Sequence, residues 1–217
     1  LPDAQYGDAG ALARALGGVH GLYSYLLPES LGGASVGRGG SKTYVDVRCL
    51  VIIREALGFC SPLADAIFAV QGLGSYPIVL GGSDEQRARL LPDVLSGDRI
   101  CAFALTEPNA GSDVASMQSV AHRDGDDWIL NGEKCLISNV GIADHYVVFA
   151  NADPEQGRRG ITAFIVERQT EGLQQQLQPQ RVLRPRERIG LANRRVNIGQ
   201  QRRKRLTALE AGGEERG

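Results

Sequence analysis

The sequence is poor in several things at once. Its 217 residues include one methionine, one tryptophan and four cysteines, and aromatic residues make up 6%. Cys49, Cys60, Cys101 and Cys135 form no C-x-x-C pair, and no histidine stands beside them at zinc-ligand spacing. That argues against a zinc ribbon or a dithiol redox motif and leaves four reduced, mostly buried thiols. No long hydrophobic run is present. The longest uncharged stretch, Ala66–Ser83, carries Gln71, Pro77 and several glycines and makes a poor membrane span. The first residues lack a basic region followed by an apolar segment, so no secretory signal is read and a cytoplasmic setting is expected. Charge is almost balanced, with 24 Lys+Arg against 25 Asp+Glu and a net of −1, which argues against a whole-chain polyanion binder.

The balance hides an asymmetry. Residues 174–217 hold eleven basic residues and four glutamates, a net of +7, which leaves 13 basic and 21 acidic residues in the first 173. No aromatic residue follows Phe164. Gln174–Gln180 is of low complexity, and the arginine-dense run after it has no clean apolar period, so a disordered basic tail is expected from 174 onward.

Before the tail the chain reads as α+β: a helical domain over 1–98, then a small antiparallel β-barrel or sandwich domain over 99–173. Helices are expected at Ala9–Leu16, Thr43–Leu57, Leu63–Leu73 and from Ser83, where Ser83 and Gln86 form a capping box and Gly97 lies past the end. Tyr76–Leu80, which holds Pro77, and Pro92 read as breaks between and within these elements. Strands are expected at Ile100–Thr106, Trp128–Leu130, Lys134–Ser138, His145–Ala150 and Gly160–Val166, with Asn131-Gly132 as a type I′ hairpin turn. Asp124–Asp127 reads as a solvated turn. His20, His122 and His145 read as surface or satisfied core side chains, and Trp128 as core.

The most informative stretch is CAFALTEPNAGSD, Cys101–Asp113. A strand delivers Phe103–Thr106 to a turn in which Pro108 fixes φ and Gly111 permits close backbone approach. Ser112 and Asp113 add polar groups beside backbone N–H groups. Such a turn suits an anionic or oxygen-rich ligand, and equally a tight structural loop.

Residues 101–113 resemble the T-E-P-x-A-G-S-D signature of the acyl-CoA dehydrogenases. NGEKCLISN at Asn131–Asn139 is similar to that family's N-G-x-K-x-W-I-[ST]-N segment, and GITAFIVE at Gly160–Glu167 to the strand that follows it. YLLPESLGG (Tyr25–Gly33), REALG (Arg54–Gly58) and Gly82–Pro108 resemble its helical domain and the start of its β domain. These motifs run in order over about residues 9–173.

The resemblance implies FAD-dependent α,β-dehydrogenation of an acyl-CoA thioester in fatty acid metabolism, an electron-transfer flavoprotein or similar acceptor, and homo-oligomers. Carried over by position, Phe103, Ala104, Leu105 and Thr106 would line the flavin ring. Gly111 and Ser112 would lie where flavin meets acyl-CoA, with Ser112 on the CoA arm. Leu136, Ile137 and Ser138 would cover the ring's other side. Leu136 departs from the usual aromatic residue there, which weakens stacking, while Ser138 keeps a hydroxyl. Glu107 is rejected as the general base, because in the family it belongs to the binding turn. The family's base and main oligomer contacts belong to a C-terminal helical domain not found in this sequence. A truncated chain with impaired or no turnover is therefore expected, its tail reading as out-of-frame or divergent sequence. The alternatives are a non-catalytic flavin- or CoA-binding fragment and a polyanion binder acting through the basic tail.

Overall fold

A computed structural model of the chain describes residues 2–125, 127–177, 194–198 and 207–209. Four α-helices come first: α1 (Pro2–Gly18), α2 (Val47–Cys60), α3 (Pro62–Gly81) and α4 (Asp84–Ser96). Local chemistry starts each of the last three. Asp46 accepts from the Arg48 N–H at the head of α2, and Ser61 accepts from the Ala64 N–H at the head of α3, with Pro62 in its first turn. At α4 the expected capping box is present: Gln86 N–H donates to Ser83 Oγ at 3.2 Å, and Ser83 N–H donates to Gln86 Oε1 at 2.8 Å. Gly97 closes α4 at φ 79°.

Neither proline ends its helix. Pro77 lies inside α3 and Pro92 inside α4, against the expectation of breaks. Ile78, Leu90 and Leu91 beside them are buried in one shared cluster, and that burial outweighs the loss of one backbone bond per proline. α3 is long and apolar enough to cross a membrane, but one face is packed within the protein, from Ala64 through Phe68 and Gln71 to Val79.

The strands follow: β1 (Cys101–Ala104), β2 (Val120–Asp124), β3 (Asp127–Cys135), β4 (His145–Asn151), β5 (Ile161–Glu167), β6 (Leu173–Leu177), β7 (Arg194–Ile198) and β8 (Thr207–Ala208). They order as β6-β7-β3-β2-β4-β5-β8, with β1 on β4. The sheet is mixed rather than purely antiparallel, because β1 runs parallel to β4, Cys101 opposite His145 and Ala104 opposite Val148. Asn131-Gly132 is no hairpin turn. It lies within β3, and the turn falls one strand earlier, between Asp124 and Asp127, where Gly125 has φ 65°. Gly132 is needed for another reason: a Cβ there would lie 2.0 Å from Ser119 Oγ.

Residues 174–177, 194–198 and 207–208 fall in the segment expected to be disordered, yet they are strands. β7 pairs with β3 from Gly132 to Cys135, β6 pairs with β7, and β8 adds to β5. Exposed strand edges accept any backbone that can complete their ladder, which composition alone does not reveal. The remainder of 174–217 lies outside the described residues.

Among the described residues, three apolar clusters hold the structure together. One fills the helical half around Ala13, Tyr23, Ile67 and Phe68. A second fills the sheet around Ala102, Ala104, Leu130, Val148 and Phe164, with Trp128 at its edge. The third mixes the two, joining Ile78, Leu90 and Leu91 to Val147 and Ile165. A polar bridge crosses the same boundary. Gln71, fully buried, donates to the Arg99 carbonyl at 2.8 Å and accepts from the Cys101 N–H at 2.9 Å.

Candidate functional site

The alternation of β1 decides what its side chains can reach. Ala102 and Ala104 point into the sheet core, while Phe103 points the other way and meets Phe149 at a ring separation of 5.0 Å. Both phenyl rings line a groove of about 890 Å³ between the helical half and the sheet. Leu50 and Arg54 of α2 and Leu73 and Tyr76 of α3 form its helical side. Arg54 is held by Asp65 through two bonds of 2.7 and 2.9 Å, which fix its guanidinium at the margin of this apolar space.

After β1 the backbone turns tightly. Glu107 N–H donates to the Ala110 carbonyl at 3.0 Å, and Ala110 N–H donates back to the Glu107 carbonyl at 3.2 Å. Pro108 and Asn109 form the tip, and Gly111 and Ser112 emerge exposed beyond it. Added bulk at Gly111 would meet only open space.

Glu107 itself turns inward. Its side chain is 4% exposed and accepts from the N–H of Gln118 at 2.6 Å, the N–H of Ser119 at 3.0 Å and Lys134 Nζ at 2.7 Å. Burial pushes this carboxyl up, but the Lys134 ammonium and the two N–H donors prevail and hold it below the usual carboxylate range. Lys134 is fully buried and also donates to the Leu105 carbonyl at 3.1 Å. Burial pulls its ammonium down, and Glu107 opposes that pull. The result is an ion pair with ordered partners on both sides. Glu107 is neither a surface carboxylate nor free to take a proton from a ligand. Lys134 appears in the sequence only as the lysine of N-G-E-K, and nothing local marks it as buried, because lysines are seldom fully buried without a partner.

β3 delivers the second segment. The Cys135 N–H donates to the Thr106 carbonyl at 2.9 Å, so the residue after it, Leu136, emerges beside the motif. Leu136 has φ 58° and Asn139 φ 63°. Among the described residues these two are the non-glycine positions in left-handed backbone. Asparagine tolerates that region, whereas in leucine it stores about 1 kcal/mol of strain. The strained leucine is also 49% exposed, and Ser138 beyond it is exposed as well, while Ile137 between them is buried in the sheet core. Asn139 ties the segment down by donating from Nδ2 to the Cys101 carbonyl at 2.9 Å.

The nine sequence-derived positions thus divide by accessibility. Phe103, Leu105, Thr106, Gly111, Ser112, Leu136 and Ser138 lie at least partly at the surface of two segments that meet. Ala104 and Ile137 are core side chains and can offer only backbone groups to a ligand.

Other expectations need correction. Cys101 and Cys135 are buried, but Cys49 is half-buried and Cys60 exposed, because they lie on an α2 that has no buried residues. Burial pushes the Cys101 thiol up, so it stays protonated. His20 and His122 are at the surface. His145 is fully buried, and neither ring nitrogen has a hydrogen-bond partner, so it is not a satisfied core histidine. No group of three or more His, Cys, Asp or Glu among the described residues could hold a metal ion.

Comparison with known proteins places these features in one family. Residues 5–98 match the family model described as the acyl-CoA dehydrogenase N-terminal domain, and residues 102–185 match its middle domain. The chain is 39% identical over 156 residues to an acyl-CoA dehydrogenase of Bacillus subtilis (strain 168), covering 71% of this chain and 39% of that protein. It superposes on glutaryl-CoA dehydrogenase from Mycobacterium smegmatis with a TM-score of 0.70 at 30% identity, covering 95% of this chain and 48% of that one. It superposes on an acyl-CoA dehydrogenase complexed with FAD from Bacillus anthracis with a TM-score of 0.72 at 27% identity, covering 94% and 32%. The chain spans less than half the length of each of these relatives. Two family domains matched in order, with a fold shared across 95% of the chain, show that it belongs to the acyl-CoA dehydrogenase family, whose cofactor is FAD.

Proposed function

We propose that this chain supplies the flavin-binding and part of the acyl-CoA-binding surface for FAD-dependent α,β-dehydrogenation of an acyl-CoA thioester. The observation that carries this reading is the meeting of residues 105–112 with residues 134–138 through the Cys135–Thr106 and Lys134–Leu105 bonds. The segments that meet there carry an exposed apolar side chain, Leu136, exposed hydroxyls at Ser112 and Ser138, and a half-buried one at Thr106. An apolar ring with a polar edge fits such a surface, and strain at an exposed leucine is retained where surrounding contacts fix a functional conformation.

FAD, when bound, supplies the acceptor for a hydride from the acyl β-carbon. The chain's part is placement. Leu136 shields one face from water, Thr106 and Ser138 offer hydrogen bonds to polar ring atoms, and Ser112 with the open turn at Gly111 receives the CoA arm. Leu136 is smaller than an aromatic ring and gives less stacking. Glu107 of the signature does not serve as base, because it is locked to Lys134. We therefore propose that this chain binds flavin and turns over weakly or not at all by itself, with an electron-transfer flavoprotein as the acceptor of the complete system.

Purified protein supplied with FAD tests this in two readouts. Retained flavin absorbance after gel filtration, with little dye reduction by a panel of acyl-CoAs, is the expected result. A colourless protein would remove the flavin reading. Robust turnover would place a working base within this chain.

A further inference from the structure

We propose that the buried Lys134–Glu107 pair is a positioning device that fixes the two ligand-facing segments, 105–112 and 134–139, relative to each other; this rests on the flavin reading above. Each member is buried, and the bond between them crosses the junction. Lys134 sits one residue before Cys135 in β3, and its ammonium reaches two separate atoms of the opposite segment, the Leu105 carbonyl at 3.1 Å and Glu107 Oε1 at 2.7 Å. Glu107 in turn gathers the Gln118 and Ser119 N–H groups at 2.6 and 3.0 Å, which pins the loop leading into β2 to the same point. Three stretches far apart in sequence therefore converge on one carboxylate.

A core-filling role does not call for this arrangement. An apolar pair of similar volume fills a core at least as well as a buried ion pair, because the charges must first be stripped of water. What the charges add is direction. An ammonium with two fixed acceptors and a carboxylate with three fixed donors allow one relative placement of the segments, whereas apolar contacts tolerate sliding. The placement matters here because the backbone on either side carries the outward-facing groups: Thr106 immediately before Glu107, and Leu136 two residues after Lys134. Lys134 and Glu107 touch neither ligand in this scheme and act through those neighbours.

The test uses the full chain and three variants: Lys134→Met, the double variant Lys134→Met with Glu107→Leu, and Val166→Ala as a control. Val166 is fully buried in the same sheet core but outside the junction, so its truncation lowers stability without touching the pair. Hydrogen exchange by mass spectrometry is read first. The expected result is that 105–112 and 134–139 lose protection together in Lys134→Met and in the double variant, and keep it in Val166→Ala. Loss confined to one segment, or spread equally over the whole sheet, would overturn the proposal whether or not flavin binds. FAD affinity is read second, below the melting range of every variant. The expected result is an increase in Kd of about tenfold or more for both pair variants, the scale of a lost charged hydrogen bond, and little change for Val166→Ala. The double variant leaves no unpaired buried charge, and reading affinity below its melting range separates a loss of placement from a loss of folding. Wild-type binding matched by the double variant would overturn the positioning role. Absence of binding by the wild type would overturn the flavin reading instead, and the exchange result would still decide whether the pair couples the segments.

Discussion

Acidification bears on His145 more directly than on any surface group. The side chain is fully buried at the start of β4, neither ring nitrogen has a partner, and Arg99 and Arg89 lie close enough to disfavour a positive charge. Burial, aided by those arginines, pulls its pKa down to about 3. In the unfolded chain the value returns to about 6.5. As pH falls, the unfolded state therefore takes up the proton first and is favoured by it. The contribution is complete above about pH 6.5 and is lost progressively down to about pH 3. At pH 4 the loss is about 3 kcal/mol, since 1.4 kcal/mol accompanies each pH unit between the two values. His145→Leu has no proton to gain and leaves no buried nitrogen unpaired. Urea unfolding of wild type and variant from pH 7 to pH 4 reads the effect by subtraction. The carboxylates whose pairing also weakens in acid, Glu107, Asp46 and Asp65, are common to both proteins and cancel. The stability difference is expected to move by about 3 kcal/mol in favour of His145→Leu across that range. A difference constant to within about 0.5 kcal/mol would refute the reasoning, because a buried imidazole that titrates normally contributes no such slope.

Three further outcomes follow from the packing. Gly132→Ala drives a methyl group into Ser119, whose N–H serves Glu107, and should cost about 3 kcal/mol, near the upper end for overpacking, lowering the melting temperature by roughly 6–12 °C; an unchanged melting curve would mean that β3 can move away from Ser119. Leu136→Gly relieves left-handed strain and should stabilise the protein by about 1 kcal/mol while reducing FAD retention, so stability and flavin content should move in opposite directions. The exposed apolar side chains of α2, with Phe59 93% and Ile52 65% exposed, should drive concentration-dependent association that light scattering detects and that Ile52→Lys with Phe59→Lys suppresses; a monodisperse wild type at all concentrations would contradict this.

Features closed within a few residues were legible in the sequence. The Ser83–Gln86 box and Gly97 bound α4 because both act on the nearest turn. β4 and β5 were legible because their apolar runs have turn signals at either end. Where distant contacts decide, local signals misled. Pro77 and Pro92 read as breaks, yet the shared burial of Ile78, Leu90 and Leu91 carries both helices through them. Asn131-Gly132 has the chemistry of a hairpin turn, but its glycine answers to Ser119, thirteen residues earlier. β2 is exposed at most positions, so its residues show no apolar alternation to find. The parallel pairing of β1 with β4 links residues 44 apart, beyond the reach of any periodicity. The candidate site divides the same way. Its residue types were visible through resemblance, whereas the inward turn of Glu107, the burial of Lys134 and the backbone of Leu136 depend on the assembled sheet.

Gln71 carries a consequence for how this protein can be divided. By inheritance the chain has a seam between residues 98 and 102, where one family domain ends and the next begins. Mechanically the seam is among the most firmly tied places in the molecule. Gln71 bonds residues on both sides of Ile100, Arg14 donates to the Asp98 carbonyl at 2.7 Å, and Gly74 lies so close to Cys101 that a Cβ would meet its side chain at 2.4 Å. A polypeptide cut there would leave β1 without the helix it rests on, and β1 is the strand that leads into the signature turn. The helical half therefore acts as the foundation of the proposed ligand surface, although it contributes none of the nine candidate positions, and damage to α3 should appear first as a loss of binding.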